Sequence, residues 1–168
     1  DEYDTNFYRP DKGDKLYRRG LYTYWKRTIA PPRMQIFDAP DRERCSLRTD
    51  ITNTPIQAMV LLNDPTFVEA SRVYAQRILH EGGESRADRV RYGYKLGLAH
   101  EPDPERLAIL LDGLKSYEAH FENRDDEATL LLSVGDSQYD ESLNATELAA
   151  YTMLASVLLN LDEMITRE

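Results

Sequence analysis

Apolar residues recur at helical spacing along most of the chain after residue 54. The clearest stripe lies in 104–122, where Leu107, Leu114 and Phe121 share one face with further leucines. Similar stripes predict helices over 55–62, 65–80, 86–97 and 145–164, with a weaker helix over 126–134. Five or six amphipathic helices joined by short loops predict an all-α bundle.

Local capping signals independently support these helix starts. A capping side chain is followed by proline at Thr54-Pro55, Asp64-Pro65 and Asp103-Pro104, which is typical of the first residues of a helix. Capping boxes are predicted for Thr54 with Gln57, Ser85 with Asp88 and Asn144 with Glu147. In this interpretation, Thr54, Pro55 and Gln57 need no role beyond capping.

The first 53 residues are less regular and rich in aromatic side chains. Half of the sixteen aromatic residues lie in the first 37 positions. Residues 16–28 fit either a short strand or a helix, and 32–37 a helical turn. We expect an arm, 1–53, that packs on a helical bundle, 54–168, within one domain.

Side chains rather than regular structure are expected to hold this arm. Aromatic residues bury large areas, so Tyr22, Trp25 and Phe37 are predicted to pack on the helices. Arg19 or Arg27 is predicted to pair with a carboxylate such as Asp38.

The distribution of charged residues along the chain limits the classes of molecule that it can bind. The net charge is −9 over 168 residues, but the first hundred positions hold 17 Lys/Arg against 14 Asp/Glu and the last 68 hold 4 against 16. The acidic second part would repel a phosphate backbone, so no nucleic-acid partner is predicted. No apolar run approaches the roughly 18 residues of a membrane span.

Residues suited to metal or redox chemistry are sparse. His80, His100 and His120 are too far apart in sequence for a metal pair on one helix, and we expect helix-end or surface roles for them. Cys45 is the only cysteine, so it forms no internal disulfide and is expected to be a small buried thiol. The sequence predicts no cofactor, no metal and no catalytic residue.

The remaining candidates form a charged set interleaved with aromatic residues. One interpretation is an ion-pair framework that fixes the arm, and another is an interface with a neighbouring domain. A third is a saccharide or anion site, in which Trp25 or Tyr24 stacks on the ligand and arginines donate in pairs. The ligand or interface candidates are Arg18, Arg19, Tyr24, Trp25, Arg27, Asp38, Arg48 and Asn53.

Four segments together carry a family resemblance. They are YRRGLYTYWKRT (17–28), FDAPDRE (37–43), TNTPIQA (52–58) with LLNDP (61–65), and LLNLDEMITRE (158–168). In this order they closely resemble the C-terminal part of a planctomycete-type domain of unknown function. Large exported bacterial proteins carry that domain after a cytochrome-c-like segment and a second uncharacterised domain.

The resemblance implies in what kind of protein the chain occurs, but not which reaction or ligand it serves. The chain is expected to be a piece of a longer, extracytoplasmic protein, periplasmic or secreted, and to contact the upstream domains of the same polypeptide. The family offers no catalytic residues to carry over. A non-catalytic interaction or structural module is therefore the first hypothesis. The alternative is a contribution, together with the upstream domains, to a carbohydrate-processing or redox active site.

Overall fold

A computed structural model describes residues 11–25, 30–40, 45, 47 and 52–166. All regular structure in these ranges is helical, which confirms the predicted all-α class. Two 3₁₀ turns, Gly13–Tyr17 and Gly20–Tyr22, precede the α-helices. The helices are α1 (Pro32–Ile36), α2 (Pro55–Asn63), α3 (Pro65–Glu81), α4 (Arg86–Leu98), α5 (Pro104–Phe121), α6 (Asp125–Leu132), α7 (Ala145–Leu159) and α8 (Asp162–Ile165).

The contacts divide the chain into two compact units, Asp1–Val60 and Leu61–Glu168. In the first unit, the two 3₁₀ turns are the regular structure in the described part of 16–28, residues 16–25, where a strand or a helix was considered. Helix α1 confirms the predicted helical turn. The packing of the arm on the bundle stays a prediction.

Capping side chains set the starts of the long helices, as predicted. Asp64, Ser85, Asp103 and Asn144 each accept a hydrogen bond from a backbone N–H of the following turn. The expected final helix over 145–164 is instead two helices, because α7 ends at Leu159 and α8 begins at Asp162.

Helix α7 occupies the centre of the second unit. Leu148, Ala150, Tyr151, Leu154 and Ala155 are fully buried and lie around its circumference. It contacts α3, α4, α5, α6 and α8. A helix with buried apolar residues on every side needs neighbours around most of its surface, and these helices provide them.

Two small residues allow α3 and α4 to approach closely. The carbonyl of Gly93 accepts the hydroxyl hydrogen bond of Tyr74, and a Cβ at Gly93 would lie 2.7 Å from Cδ1 of Ile78. A Cβ at Gly97 would lie 2.9 Å from the Tyr74 hydroxyl. Burial raises the pKa of Tyr74 to about 12, so its hydroxyl remains a donor at neutral pH. The two glycines therefore serve the packing of α3 against α4.

A buried arginine joins α3 to the segment that follows α6. Arg72 is 1% exposed, and its Nη1 donates to the carbonyls of Leu132 and Val134, the latter at 3.0 Å. Its Nη2 donates to the carbonyl and the hydroxyl oxygen of Ser137, both at 2.7 Å. A buried guanidinium is tolerated when its donors have acceptors, and these oxygens accept from both of its terminal nitrogens.

Glu69, one turn before Arg72, binds the same segment but as an acceptor, with a negatively charged side chain. It is 3% exposed, and its Oε2 accepts from the backbone N–H of Asp136 at 2.6 Å. Gly135 has a φ of +103°, and a Cβ there would lie 2.2 Å from Oε2 of Glu69. We call Glu69, Arg72 and residues 132–137 the loop clamp.

Replacement of glycine by alanine should have opposite effects on stability at Gly135, within the loop clamp, and at Gly113, on α5. Gly135→Ala should lower the free energy of unfolding by about 2–4 kcal/mol, because it strains a left-handed backbone and overlaps Glu69. Gly113→Ala on α5 should raise it by about 0.5–1 kcal/mol, because a Cβ there meets no atom within 4 Å. Urea denaturation of both variants tests this, and a stable Gly135→Ala variant would contradict it.

Candidate functional site

Asp38 is the centre of the most connected polar cluster in the first unit. It follows α1 with a left-handed φ of 57°. Its Oδ2 accepts from the backbone N–H of Thr52 at 2.8 Å, from the Thr52 hydroxyl at 2.6 Å and from Nε2 of Gln57 at 3.4 Å. We call Asp38, Thr52 and Gln57 the Asp38 cluster. It joins the FDAPDRE and TNTPIQA segments, which are far apart in the sequence.

Gln57 has a role in this cluster that capping alone does not explain. Its Oε1 accepts from the N–H of Thr54 at 2.8 Å, which confirms the capping box. Its Nε2 also donates to the carbonyl of Ile36 at 2.8 Å, and the residue is 1% exposed. A glutamate could supply the capping acceptor but not these donors. A glutamine rather than a glutamate at this position is the feature of the sequence that could have indicated the additional donor role.

The electrostatics of the Asp38 cluster favour a permanent anion. Hydrogen bonds from the hydroxyl and backbone N–H of Thr52 lower the pKa of Asp38, with a smaller contribution from Gln57. A group that exchanges protons near neutral pH needs a pKa near 7 instead. The cluster is thus built as an anchor between two chain segments.

The candidate arginines do not join this anchor in the described part of the chain. Arg18 and Arg19 are exposed at the second 3₁₀ turn. The guanidinium of Arg19 lies 5.8 Å from the ring centroid of Tyr22, a cation–π contact. Arg19 therefore does not take the expected partner Asp38. Arg27 and Arg48 lie outside the described residues.

Exposure of the aromatic candidates differs from the expectation. Tyr22 is 61% exposed and Tyr24 is 77% exposed, while Trp25 is half-buried. The burial predicted for Tyr22 is therefore wrong. Asn53 is also exposed, beside the Asp38 cluster in sequence. The thiol of Cys45, expected to be buried, is exposed as well.

The three histidines lie at or next to helix ends, as predicted, and each contacts a carboxylate. His80 is 2.9 Å from Asp140, His100 is 3.3 Å from Glu163 and His120 is 3.3 Å from Glu127. Within the described ranges, no three His, Cys, Asp or Glu side chains gather as metal ligands would.

A second polar cluster ties the ends of α4, α5 and α8 together. Nη1 of Arg106 donates to Oε1 of Glu163 at 2.6 Å and to the hydroxyl of Tyr94. The hydrogen bond from Arg106 lowers the pKa of Glu163, and the positive charge of Arg106 and the contact with His100 add to this shift. Because every charge here has a partner in the protein, the cluster joins helices rather than presenting a reactive group.

Comparison with protein families identifies the class of the chain. Residues 2–114 match the family PSD1, described as a protein of unknown function (DUF1553). This match covers more than half of the 168 residues, and the chain belongs to that family. No curated protein matches the chain. No solved structure matches it.

The dual role of Gln57 leads to a test in the first unit. Gln57→Glu should abolish the protection of the Thr52 amide against hydrogen exchange, because a carboxylate would face Asp38 and could not donate to Ile36. Exchange measured by NMR at neutral pH reports this directly. Gln35→Glu, at an exposed position of α1, is the matched control and should leave that amide protected. Equal exchange in the two variants would contradict the assigned role.

The Arg106–Glu163 pair predicts a pH dependence of stability. Folding lowers the pKa of Glu163 from its usual 4.5, so its contribution is present above that pH and is lost as the pH falls through the folded value. Glu163→Gln should therefore be less stable than the wild type at pH 7, and the difference should be smaller at pH 3. Denaturant unfolding at both pH values measures it. The double variant with Arg106→Gln controls for the pair, and a difference independent of pH would refute this assignment.

Proposed function

We propose that the chain is a non-catalytic helical interaction module whose aromatic segment, residues 17–25, contacts other domains of the same polypeptide. The observation that carries this proposal is the exposure of large apolar side chains in a short stretch. Tyr17 is 50% exposed, Leu21 78%, Tyr22 61% and Tyr24 77%. Grouped exposed apolar residues are typical of interaction sites, whereas single ones are ordinary surface.

The composition of the aromatic segment suits a protein interface. Tyrosine, tryptophan and arginine are enriched where protein surfaces meet, since they combine large apolar area with polar groups. Arg19 is already oriented over the Tyr22 ring, which reduces the conformational entropy lost on binding. The segment thus offers partly ordered anchors to a neighbouring domain.

The Asp38 cluster supports the non-catalytic part of the proposal. Its carboxylate accepts three hydrogen bonds from within the chain, and its pKa is lowered. Such a group makes a poor proton carrier near neutral pH. Its geometry instead favours a fixed connection between α1 and the start of α2.

The setting of this module rests on the four sequence motifs. Their resemblance supports a large exported bacterial protein of planctomycete type, with a cytochrome-c-like segment upstream. In that setting the chain would work outside the cytoplasm, and its partners would be the preceding domains. Within the described ranges, no helix has both the length and the apolarity to cross a membrane.

Hydrogen exchange of the aromatic segment tests the proposal. The isolated chain and the full parent polypeptide are compared, and residues 17–25 should exchange at least tenfold more slowly in the parent. The triple variant Leu21→Ser/Tyr22→Ser/Tyr24→Ser should lower the Tm of the parent but not that of the isolated chain. Val73→Ser/Leu96→Ser, at exposed apolar positions of α3 and α4, is the control and should show no such selectivity.

Two outcomes would overturn the proposal. One is equal exchange of residues 17–25 in the isolated chain and the parent. The other is slowing of that exchange in the isolated chain by sulfate or by a neutral oligosaccharide, since this would favour the anion or saccharide site predicted as an alternative. Slow exchange in the parent alone would support the interface.

A further inference from the structure

Positive charge is concentrated around the aromatic segment. Residues 15–37 hold six Lys/Arg and no Asp or Glu, and we call them the basic stretch. The rest of the chain holds 15 Lys/Arg against 30 Asp/Glu, so the basic stretch has the opposite sign to a chain whose net charge is −9. Such a local reversal of sign favours a negatively charged partner at this place and disfavours one along the rest of the chain.

Three cations of the basic stretch face solvent on or next to the aromatic segment. Lys15 belongs to the first 3₁₀ turn, and Arg18 and Arg19 lie between the two turns. All three are exposed, and within the described ranges none of them forms an ion pair with a carboxylate. Their charge is therefore available to another molecule. Lys26, like Arg27, lies outside the described residues.

The second 3₁₀ turn gives this surface a defined backbone. The N–H of Tyr22 donates to the carbonyl of Arg19 at 2.8 Å, and the N–H of Thr23 donates to the carbonyl of Gly20 at 3.2 Å. A Cβ at Gly20 would lie 3.0 Å from Cε of Met34, so the turn also packs closely on α1. A surface that is ordered before binding loses less conformational entropy when a partner covers it.

The exposed apolar side chains of this turn stand among the cations. Leu21, Tyr22 and Tyr24 are all more than half exposed, and the guanidinium of Arg19 lies over the Tyr22 ring. A partner that only neutralised charge would leave Leu21 and Tyr24 in water. A partner that only covered apolar area would bury cations without an opposite charge. The occupant must therefore supply anionic groups and apolar area together.

The charge of the whole chain selects among anionic partners. A sulfated polysaccharide or a bilayer of anionic lipids extends beyond the basic stretch, and it would repel residues 101–168, which hold 4 Lys/Arg against 16 Asp/Glu. An acidic area on a folded protein is small enough to meet the basic stretch alone. It also has apolar side chains beside its carboxylates, which a polysaccharide sulfate does not.

We infer that the basic stretch binds an acidic protein surface with an apolar centre. This requires the aromatic segment to be an interface, as proposed above, and it adds the chemistry of the partner. Carboxylates would meet Lys15 and the two arginines, which can each donate two parallel hydrogen bonds. The apolar centre would cover Leu21 and Tyr24.

Charge variants of the full parent polypeptide test the inference. Lys15→Gln/Arg18→Gln/Arg19→Gln should speed the hydrogen exchange of residues 20–25 in the parent at least tenfold, because the partner's carboxylates lose their cations. Raising the salt from 50 to 300 mM should speed this exchange at least fivefold in the wild-type parent, and by a smaller factor in the triple variant, since screening then acts on fewer charges.

A matched variant controls for the change in net charge. Arg91→Gln/Lys95→Gln/Lys115→Gln removes the same charge from exposed positions of α4 and α5 and should change the exchange less than twofold. Arg18→Lys/Arg19→Lys keeps the charge and should stay within threefold of the wild type. Equal effects of the two triple variants, with slow exchange in the wild-type parent, would overturn the acidic partner and leave the interface standing. Equal exchange in the isolated chain and the parent would overturn the proposed function itself.

Soluble probes test the class of partner on the isolated chain. A fluorescein-labelled random copolymer of glutamate and tyrosine, followed by anisotropy, should bind at least tenfold more tightly than polyglutamate of equal length, because only the copolymer offers apolar rings. At equal concentrations of negative charge, dextran sulfate and vesicles of phosphatidylcholine with one third phosphatidylglycerol should displace the copolymer less well than unlabelled copolymer does. Better displacement by either would overturn the inference in favour of a polysaccharide or a membrane surface.

Discussion

The burial of most of α7 is the constraint on which the second unit depends. Buried side chains occur on every side of α7, although Glu147, Met153 and Val157 are only partly buried, so most of the helix must be shielded from water. Helices α3, α4, α5, α6 and α8 must therefore surround it. Small residues such as Ala149, Ala150 and Ala155 let these neighbours approach, while Tyr151 and Leu154 fill the space between them.

Covering α7 creates a second requirement, which the loop clamp meets. The chain must leave α6, pass beside α3 and return as α7, and this path buries several carbonyls. Arg72 supplies donors to three of these carbonyls, and Glu69 accepts from the backbone N–H of Asp136. The two charges are thus part of the backbone hydrogen bonding of the loop. Their burial is compatible with folding for this reason.

The two polar clusters find their partners within the chain, whereas several large apolar side chains are exposed. The Asp38 cluster and the Arg106–Glu163 pair are satisfied by protein atoms, whereas the aromatic segment and Leu130 remain open to water. The exposed apolar side chains of the aromatic segment are the basis of the interface proposed above.

The local sequence determined the helices, because their signals lie within one or two turns. Asp64, Asp103 and Asn144 cap the helices they were expected to cap, and the α5 stripe places Leu110 and Leu114 in the core. Each cap joins residues two or three positions apart, and the stripe repeats every three or four residues, so the spacing along the sequence is enough to predict both.

Only the tertiary structure decided the contacts between distant segments. The partners of Arg72 are 60 to 65 residues away, and Gln57 reaches Ile36 over 21 residues. Charge and composition alone therefore predicted partners such as Arg19 for Asp38, and burial for Tyr22, that the fold did not provide. Helix formation depends on local features, the spacing of apolar residues and the capping side chains. The choice of a buried polar partner depends on which surfaces the packed helices bring together.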